Sequence, residues 1–155
     1  MTTKSQLQKK IIELESELQE FKSQLNNYSE ITLENSKPGD TLSDGSVVIH
    51  KEGNRVLIAA PKETEVRCQW TPEFSEVFES LKSHGFTPSQ WHVPTIEELK
   101  LAYKNARESF SSAGYWSSTE GSATYGCLLY FLTGTTIHCT KTITGCVRAF
   151  RWCTI

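Results

Sequence analysis

Cysteine and histidine have the widest chemical reach in this 155-residue sequence, which holds five cysteines (Cys68, Cys127, Cys139, Cys146, Cys153) and four histidines. His138 stands beside Cys139, and Cys146 follows in the same C-terminal region. Imidazole and thiolate are zinc ligands, and a Cys–His pair is the core of a nucleophilic dyad. Neither chemistry suits the spacing. The three residues reproduce no standard structural zinc pattern, and no Cys-x-x-Cys pair occurs. Neighbours on a strand project to opposite faces, so His138 cannot hydrogen-bond to the Cys139 thiol. Reduced core thiols are the default reading of an odd cysteine count without a secretory signal. A zinc site at His138, Cys139 and Cys146 is the sharper alternative. No catalytic group, metal or other cofactor is expected.

A second set of residues suits binding. Tyr125, Tyr130, Thr133, Thr135, Thr136, His138, Thr140 and Lys141 combine aromatic faces with hydroxyl and amine groups. Aromatic faces stack on sugars or apolar patches, and hydroxyls give adaptable hydrogen bonds. An ordinary Thr-rich β surface has the same composition, and alternation turns about half of such residues inward. Beyond Glu120 the sequence holds no Asp, Glu or Asn, so this region lacks the clustered oxygens of a calcium site. Trp116, followed by two serines, reads as core. Arg148 and Arg151 read as opposite faces of one strand, one anchoring a buried carboxylate network and the other at the surface. Glu98 is accounted for by helix capping.

The elements that position these residues follow from turn and cap signals. Asp44-Gly45 marks a turn before a strand at Ser46–His50, and Gly53-Asn54 suits a two-residue hairpin into a strand at Arg55–Ala60. Cys68–Trp70 adds a short edge. A helix is expected from Thr71 as N-cap and Pro72 at the first helical position, with Phe74, Val77, Phe78 and Leu81 on one face and Gly85 closing it. Thr95-Ile96-Glu97-Glu98 is a capping box opening a second helix, whose stripe is Leu99, Ala102, Tyr103 and Ala106. Strands are expected at Tyr115–Ser118, Tyr125–Phe131, Thr135–Cys139 and Cys146–Trp152. Hairpin, two helices, then a multi-stranded antiparallel sheet is an α+β order.

The N-terminal region is different in kind. Leu7, Ile11, Leu14, Leu18, Phe21, Leu25 and Tyr28 alternate steps of four and three, an unbroken heptad pattern with Ile11, Leu18 and Leu25 at a and the others at d. In a parallel coil, a g residue faces the e residue five positions on in its partner. Lys10 then faces Glu15 and Glu17 faces Lys22, both opposite in sign. The expectation is a parallel coiled coil between copies of the chain. Phe21 and Tyr28 are bulky for a two-stranded seam and favour a homotrimer. Asn35, Ser36, Pro38 and Gly39 interrupt the helical pattern, dividing the chain into a coiled-coil helix at 1–30, a linker at 31–36 and a domain at 37–155.

Bulk properties narrow the function classes. Sixteen basic and 18 acidic residues give a net charge of −2, with no basic field for nucleic acid. No stretch is long and apolar enough for a membrane span. The polar start from Met1 to Lys10 leads into no signal-like apolar run.

Several phrases also carry a family resemblance. Trp91-His92-Val93-Pro94-Thr95 with Glu98-Leu99, Tyr115-Trp116-Ser117-Ser118-Thr119-Glu120, Gly134, and Val147-Arg148-Ala149-Phe150-Arg151 occur in order, with Gly39-Asp40 and the Val47–Ile49 strand before them. Together they resemble C-type-lectin-fold domains, the group that includes formylglycine-generating enzymes and bacterial adhesin tips. The resemblance implies a C-type lectin fold in which the N- and C-terminal strands pair and two helices flank a central sheet. It also implies a role as a ligand-binding surface, as in phage receptor-binding proteins and the variable proteins of diversity-generating retroelements. Cys146 and Cys153 do not reproduce the pattern of the enzymes. The combined expectation is a non-enzymatic, trimeric tail-fibre or receptor-binding protein of a phage virion. Its partners would be itself, other virion proteins and a host-surface glycan or protein. A structural virion component and a bacterial adhesin or retroelement-diversified binder are the alternatives.

Overall fold

Thr3 and Gln6 start the first helix. The Thr3 hydroxyl accepts the Gln6 amide at 3.2 Å, and the Gln6 side-chain oxygen accepts the Thr3 amide at 2.8 Å. This reciprocal pair satisfies two of the amides that a helix start leaves unbonded. The helix, α1, runs Lys4–Asn27. The computed structural model describes residues 2–27 and 31–155, and the chain forms two units, Met1–Glu30 and Ile31–Ile155.

In α1 the seam positions Leu7, Ile11, Leu14, Leu18, Phe21 and Leu25 are all between 51 and 70% exposed. Tyr28, the last expected seam position, lies outside the described residues. Ile12 adds a further exposed apolar side chain beside Ile11. Lys10 makes an exposed ion pair with Glu13 one turn on, at 3.4 Å, of the kind that contributes little.

The second unit begins with the residues expected as a linker. They are folded onto the domain: Ser36 is buried, Leu33 packs against the core, and the Lys51 ammonium donates to the carbonyls of Leu33, Glu34 and Ser36 at 2.9–3.2 Å. One cation thus holds three carbonyls of this segment in place.

The hairpin follows as expected, with β1 at Val47–Glu52 and β2 at Arg55–Ala59. Glu52 faces Arg55 across the Gly53-Asn54 turn, and Gly53 has φ +57°. Next comes β3, Val66–Gln69. The helix expected from Pro72 starts only at Ser75: α2 is Ser75–Ser83. Thr71 is not its cap. The Thr71 hydroxyl accepts the Phe74 amide at 3.1 Å, and Phe74 takes a left-handed φ of +44°. That turn carries the Phe74 ring into the core, edge-on to Trp70 at 5.4 Å. Burial of a large ring outweighs a local conformational cost of about 1–2 kcal/mol.

Gly85 does end α2 as expected. Its amide bonds to the Lys82 carbonyl and the Phe86 amide to the Leu81 carbonyl, at 3.1 and 3.0 Å, the double bond of a Schellman motif. Gly85 has φ +85°, with open space where a Cβ would stand. Gly85→Ala is therefore a test of backbone strain alone. It should lower the stability of the second unit by about 1–2 kcal/mol, read as a lower urea midpoint with an unchanged slope.

The second helix of the domain, α3, is Ile96–Ala106, and the Thr95–Glu98 capping box is formed in full. Leu99, Ala102 and Ala106 are buried, while Tyr103 is half-buried. The remaining strands are β4 (Gly114–Glu120), β5 (Tyr125–Tyr130), β6 (Thr135–Thr140), β7 (Thr144–Val147) and β8 (Phe150–Thr154).

Two of these replace the single expected strand at Cys146–Trp152. The chain leaves one sheet after Val147 and joins the other at Phe150. The sheets are β1-β2-β8 and β3-β7-β4-β5-β6. At the crossing, the Arg148 guanidinium donates to the carbonyls of Ala60 and Ser109, each at 2.6 Å, and the Ala149 carbonyl accepts the Ala60 amide at 2.8 Å. The larger sheet is mixed rather than wholly antiparallel, because β4 and β7 run parallel at Tyr115–Cys146. The C-terminal strand pairs with β2, the inner strand of the N-terminal hairpin.

The core has two parts. One gathers Trp70, Val77, Leu81, Trp91, Trp116 and Leu128; the other packs α3 through Leu99 and Ala102 against Ile49, Leu57, Tyr115, Leu129 and Phe150. The architecture is α+β. Among the described residues no helix is long and apolar enough to cross a membrane.

Candidate functional site

The expected binding residues centre on the β5–β6 hairpin, whose ladder is regular from Tyr125–Thr140 to Tyr130–Thr135. Residues opposite each other in an antiparallel ladder share a face. Tyr125 and Thr140 therefore lie on the same face as His138 and Thr136, the side on which Leu129 meets α3. Tyr130 and Thr135 lie on the other face, where Leu128 meets Trp116 and where Tyr130 and Cys139 pack against that core. The eight residues do not form one surface. Four of them, Tyr125, Thr136, His138 and Thr140, share a face; Tyr130 is half-buried on the other.

Thr133 sits in the turn, its hydroxyl 2.8 Å from that of Thr135. Lys141 is already engaged. Its ammonium bonds to the Glu120 carboxylate and to the Ala123 carbonyl, and stands 4.3 Å from the centre of the Trp70 ring. It stitches the 120–124 loop to the sheet end and is a structural residue. His138 is set against Gly121, where a Cβ would come within 2.5 Å of its Nδ1. What remains for binding is a small patch of one aromatic ring, one imidazole and two hydroxyls on a single face.

The residues of the resembling phrases turn out to hold the fold together. Trp116 is fully buried and its indole donates to the Cys68 carbonyl at 3.1 Å. The buried Ser117 hydroxyl donates to the Cys127 carbonyl at 2.6 Å, and the Ser117 carbonyl accepts the Trp70 indole at 2.8 Å. The Thr119 hydroxyl accepts the Ile96 amide at the start of α3. Arg148 does not anchor a hydrogen-bonded carboxylate network. It serves carbonyls, lies 4.6 Å from the centre of the Phe110 ring, and has its pKa pushed down by burial against the opposing charge of Glu65. Arg148 and Arg151 are not on one strand, so alternation does not relate them. Arg151 is half-buried, 5.9 Å from the centre of the Trp91 ring.

No protein-family model matches this chain, and no curated protein matches it.

Glu98 has a larger role than capping. Its carboxylate also accepts His92 Nε2–H at 2.9–3.0 Å and the Trp152 indole at 2.9 Å, besides the Thr95 amide. Trp152 in turn has Arg55 over its ring at 4.4 Å and His50 edge-on at 6.5 Å. The acid thus joins α3, the 91–93 segment and β8. Trp152 stands 54 residues from Glu98 in sequence and leaves no local pattern to read. Burial alone would raise the Glu98 pKa, but the bonds from His92, Thr95 and Trp152 and the His92 charge together hold it below the usual carboxylate value. A lowered folded-state pKa means that Glu98 stabilises the domain above its unfolded value, and that this stabilisation is lost as pH falls through the folded value. Melting followed from pH 7 to pH 3 should therefore show a loss setting in below about pH 4.3. Glu98→Gln should flatten that part of the profile.

All five cysteines are free, and all but Cys139 are buried. Burial, with Glu76 and Cys146 nearby, pushes the Cys68 thiol up to about 11, and burial also raises Cys127, Cys146 and Cys153. Those four thiols are therefore protonated at neutral pH, the form that neither attacks electrophiles nor binds metal. Among the described residues no group of three His, Cys, Asp or Glu side chains is placed to hold a metal ion.

Proposed function

We propose that this protein is a non-enzymatic, parallel homotrimer, joined through α1, that displays heads of C-type-lectin fold for attachment to a host surface. On this reading it is a tail-fibre or receptor-binding component of a phage virion, assembled with other virion proteins. The observation that carries the proposal is the α1 seam. Six apolar side chains at unbroken heptad spacing stand exposed in the single chain, while the head buries a core of its own. An apolar stripe of that length is covered most simply by copies of itself, and the g–e charge pairs match in the parallel register. The α+β order of hairpin, two helices and strands supports the lectin-like reading of the head. So do the structural positions of the residues in the resembling phrases.

A parallel assembly makes each weak head contact count several times through effective concentration. The Tyr125, Thr136, His138 and Thr140 face is the part of the expected binding set suited to such contacts. The test is adsorption of the purified full-length protein to envelope fractions of candidate bacterial hosts. Binding that weakens at least tenfold in a Tyr125→Ala, His138→Ala double variant supports the proposal. Trimers that adsorb to no fraction, from a protein that particles need for stability, would make it a structural virion component instead.

A further inference from the structure

The loop between β4 and β5 is Gly-Ser-Ala-Thr, residues 121–124, and all four are exposed. Such side chains offer little to pack, so hydrogen bonds hold the loop. The Gly121 and Ser122 amides both bond to the Tyr125 carbonyl at 3.0 Å, and the Ser122 hydroxyl accepts the Thr124 and Tyr125 amides at 3.3 and 3.1 Å. Lys141 ties the same loop to the sheet end. The Thr124 carbonyl accepts its amide and the Ala123 carbonyl accepts its ammonium, both at 3.0 Å. That ammonium also pairs with Glu120, just before the loop, and the Lys141 side chain is only 18% exposed. One shielded cation therefore clamps the loop near both of its ends.

His138, on β6, rests against this loop. Among the described residues no hydrogen bond holds its ring. Its place is set by contact alone: a Cβ on Gly121 would come within 2.5 Å of Nδ1 and 3.2 Å of Cε1. Any side chain at 121 would take the space that the ring occupies. The Gly121 backbone does not have a positive φ, so alanine would suit it conformationally. The Tyr125 carbonyl oxygen, at 3.4 Å, is at ordinary contact distance. Alanine at 121 would therefore conflict with the ring and with little else. An exposed ring at the end of a side chain can turn away without unfolding the sheet.

We propose that Gly121 is a positioning residue for the His138 imidazole, held in place by the clamp of Lys141 on Glu120 and Ala123. The β4–β5 loop then sets His138 on the face it shares with Tyr125, Thr136 and Thr140 before any ligand arrives. Tyr125 is fixed by the same loop, through both its amide and its carbonyl. Groups ordered in advance lose less freedom on binding, so the loop strengthens attachment without touching the ligand. That benefit rests on the reading of this face as the host-binding patch. The placing of the ring does not, because it concerns contacts within the domain alone.

Nuclear magnetic resonance of the full-length protein with labelled histidine tests the placing directly, the His138 signal being identified by its loss in His138→Ala. The native ring should show Overhauser contacts to the Gly121 α-protons. Gly121→Ala and Lys141→Met should each shift the His138 signal, whereas Gly85→Ala, which strains the backbone in another element, should not. Missing contacts, or an unmoved signal in Gly121→Ala, overturn the proposal whatever the protein binds. Adsorption to host envelope fractions then tests the benefit. Gly121→Ala should weaken adsorption as much as His138→Ala does, by about threefold or more, and the double variant should fall within about twofold of either single, because both changes remove the same contact. Losses that multiply in the double variant, or unchanged adsorption by Gly121→Ala, overturn the proposal. A native protein that adsorbs to nothing sinks the host-binding reading alone, and the His138 signal still decides the role of Gly121.

Discussion

Replacing Leu14 and Leu18 together by Asp should convert the protein to monomers in sedimentation, with the melting of the head unchanged. The two positions are adjacent d and a layers in the middle of α1, and both side chains are about half exposed in the single chain. In a three-stranded coil the double change removes six leucines from the seam. At about 1.5–3 kcal/mol for each fully buried leucine, the loss is on the order of 10 kcal/mol before any cost of burying carboxylates. No exposed charge pair offsets that, because each contributes about 0.2–1 kcal/mol. A Ser16→Asp, Ser23→Asp control places charges at outer f positions and should leave the oligomer intact. If the leucine variant stays associated, the seam is not the joint, and the proposed display of clustered heads fails with it. A variant that sediments as a monomer but keeps host adsorption would show that clustering is unnecessary for binding.

Trp116→Ala should destabilise the head by about 3–5 kcal/mol, the usual cost of emptying a buried aromatic site. Trp116 is the largest fully buried side chain of the protein. Its neighbours cannot collapse into the gap cheaply. Gly126 and Gly145 stand against its ring, and a Cβ at either would lie 2.9 and 2.8 Å from indole atoms. The Cys68 carbonyl would also lose its donor inside the core. The complementary change tests the same site from the other side. Gly126→Ala puts a methyl group into both Trp70 and Trp116 and should cost about 1–3 kcal/mol by overpacking. Urea unfolding monitored by tryptophan fluorescence measures both. A loss below about 1 kcal/mol for Trp116→Ala would mean that the two-glycine slot is not rigid.

The parts of the fold legible in the sequence are those governed by neighbours within a few residues. The capping box at Thr95–Glu98, the Gly85 stop, the Gly53-Asn54 hairpin and the α1 helix each depend on spacings of one to seven positions, and each forms where it was expected. The errors share a different cause. The late start of α2 follows from the pull of the core on Phe74, which no local rule records. The break at Arg148-Ala149 follows from which sheet each half of the segment joins, and the residues of 146–152 read the same in sequence in both cases. Lys51 bound to the 33–36 carbonyls shows how one distant cation folds a segment that reads as a linker.

The expected binding set was legible as composition and not as a surface. Tyr125, Tyr130, Thr135 and His138 lie close together in sequence, but the register of β5 against β6 divides them between two faces. By itself the sequence determined that an unbroken apolar seam precedes an α+β domain, because helical and strand periodicity are properties of the chain alone. Only the tertiary structure decided that Glu98 holds three segments, that Lys141 and Arg148 are spent inside the fold, and that β6 lies at the edge of the larger sheet. Each of those depends on which distant residues meet, and long-range pairing leaves no periodic trace in the sequence.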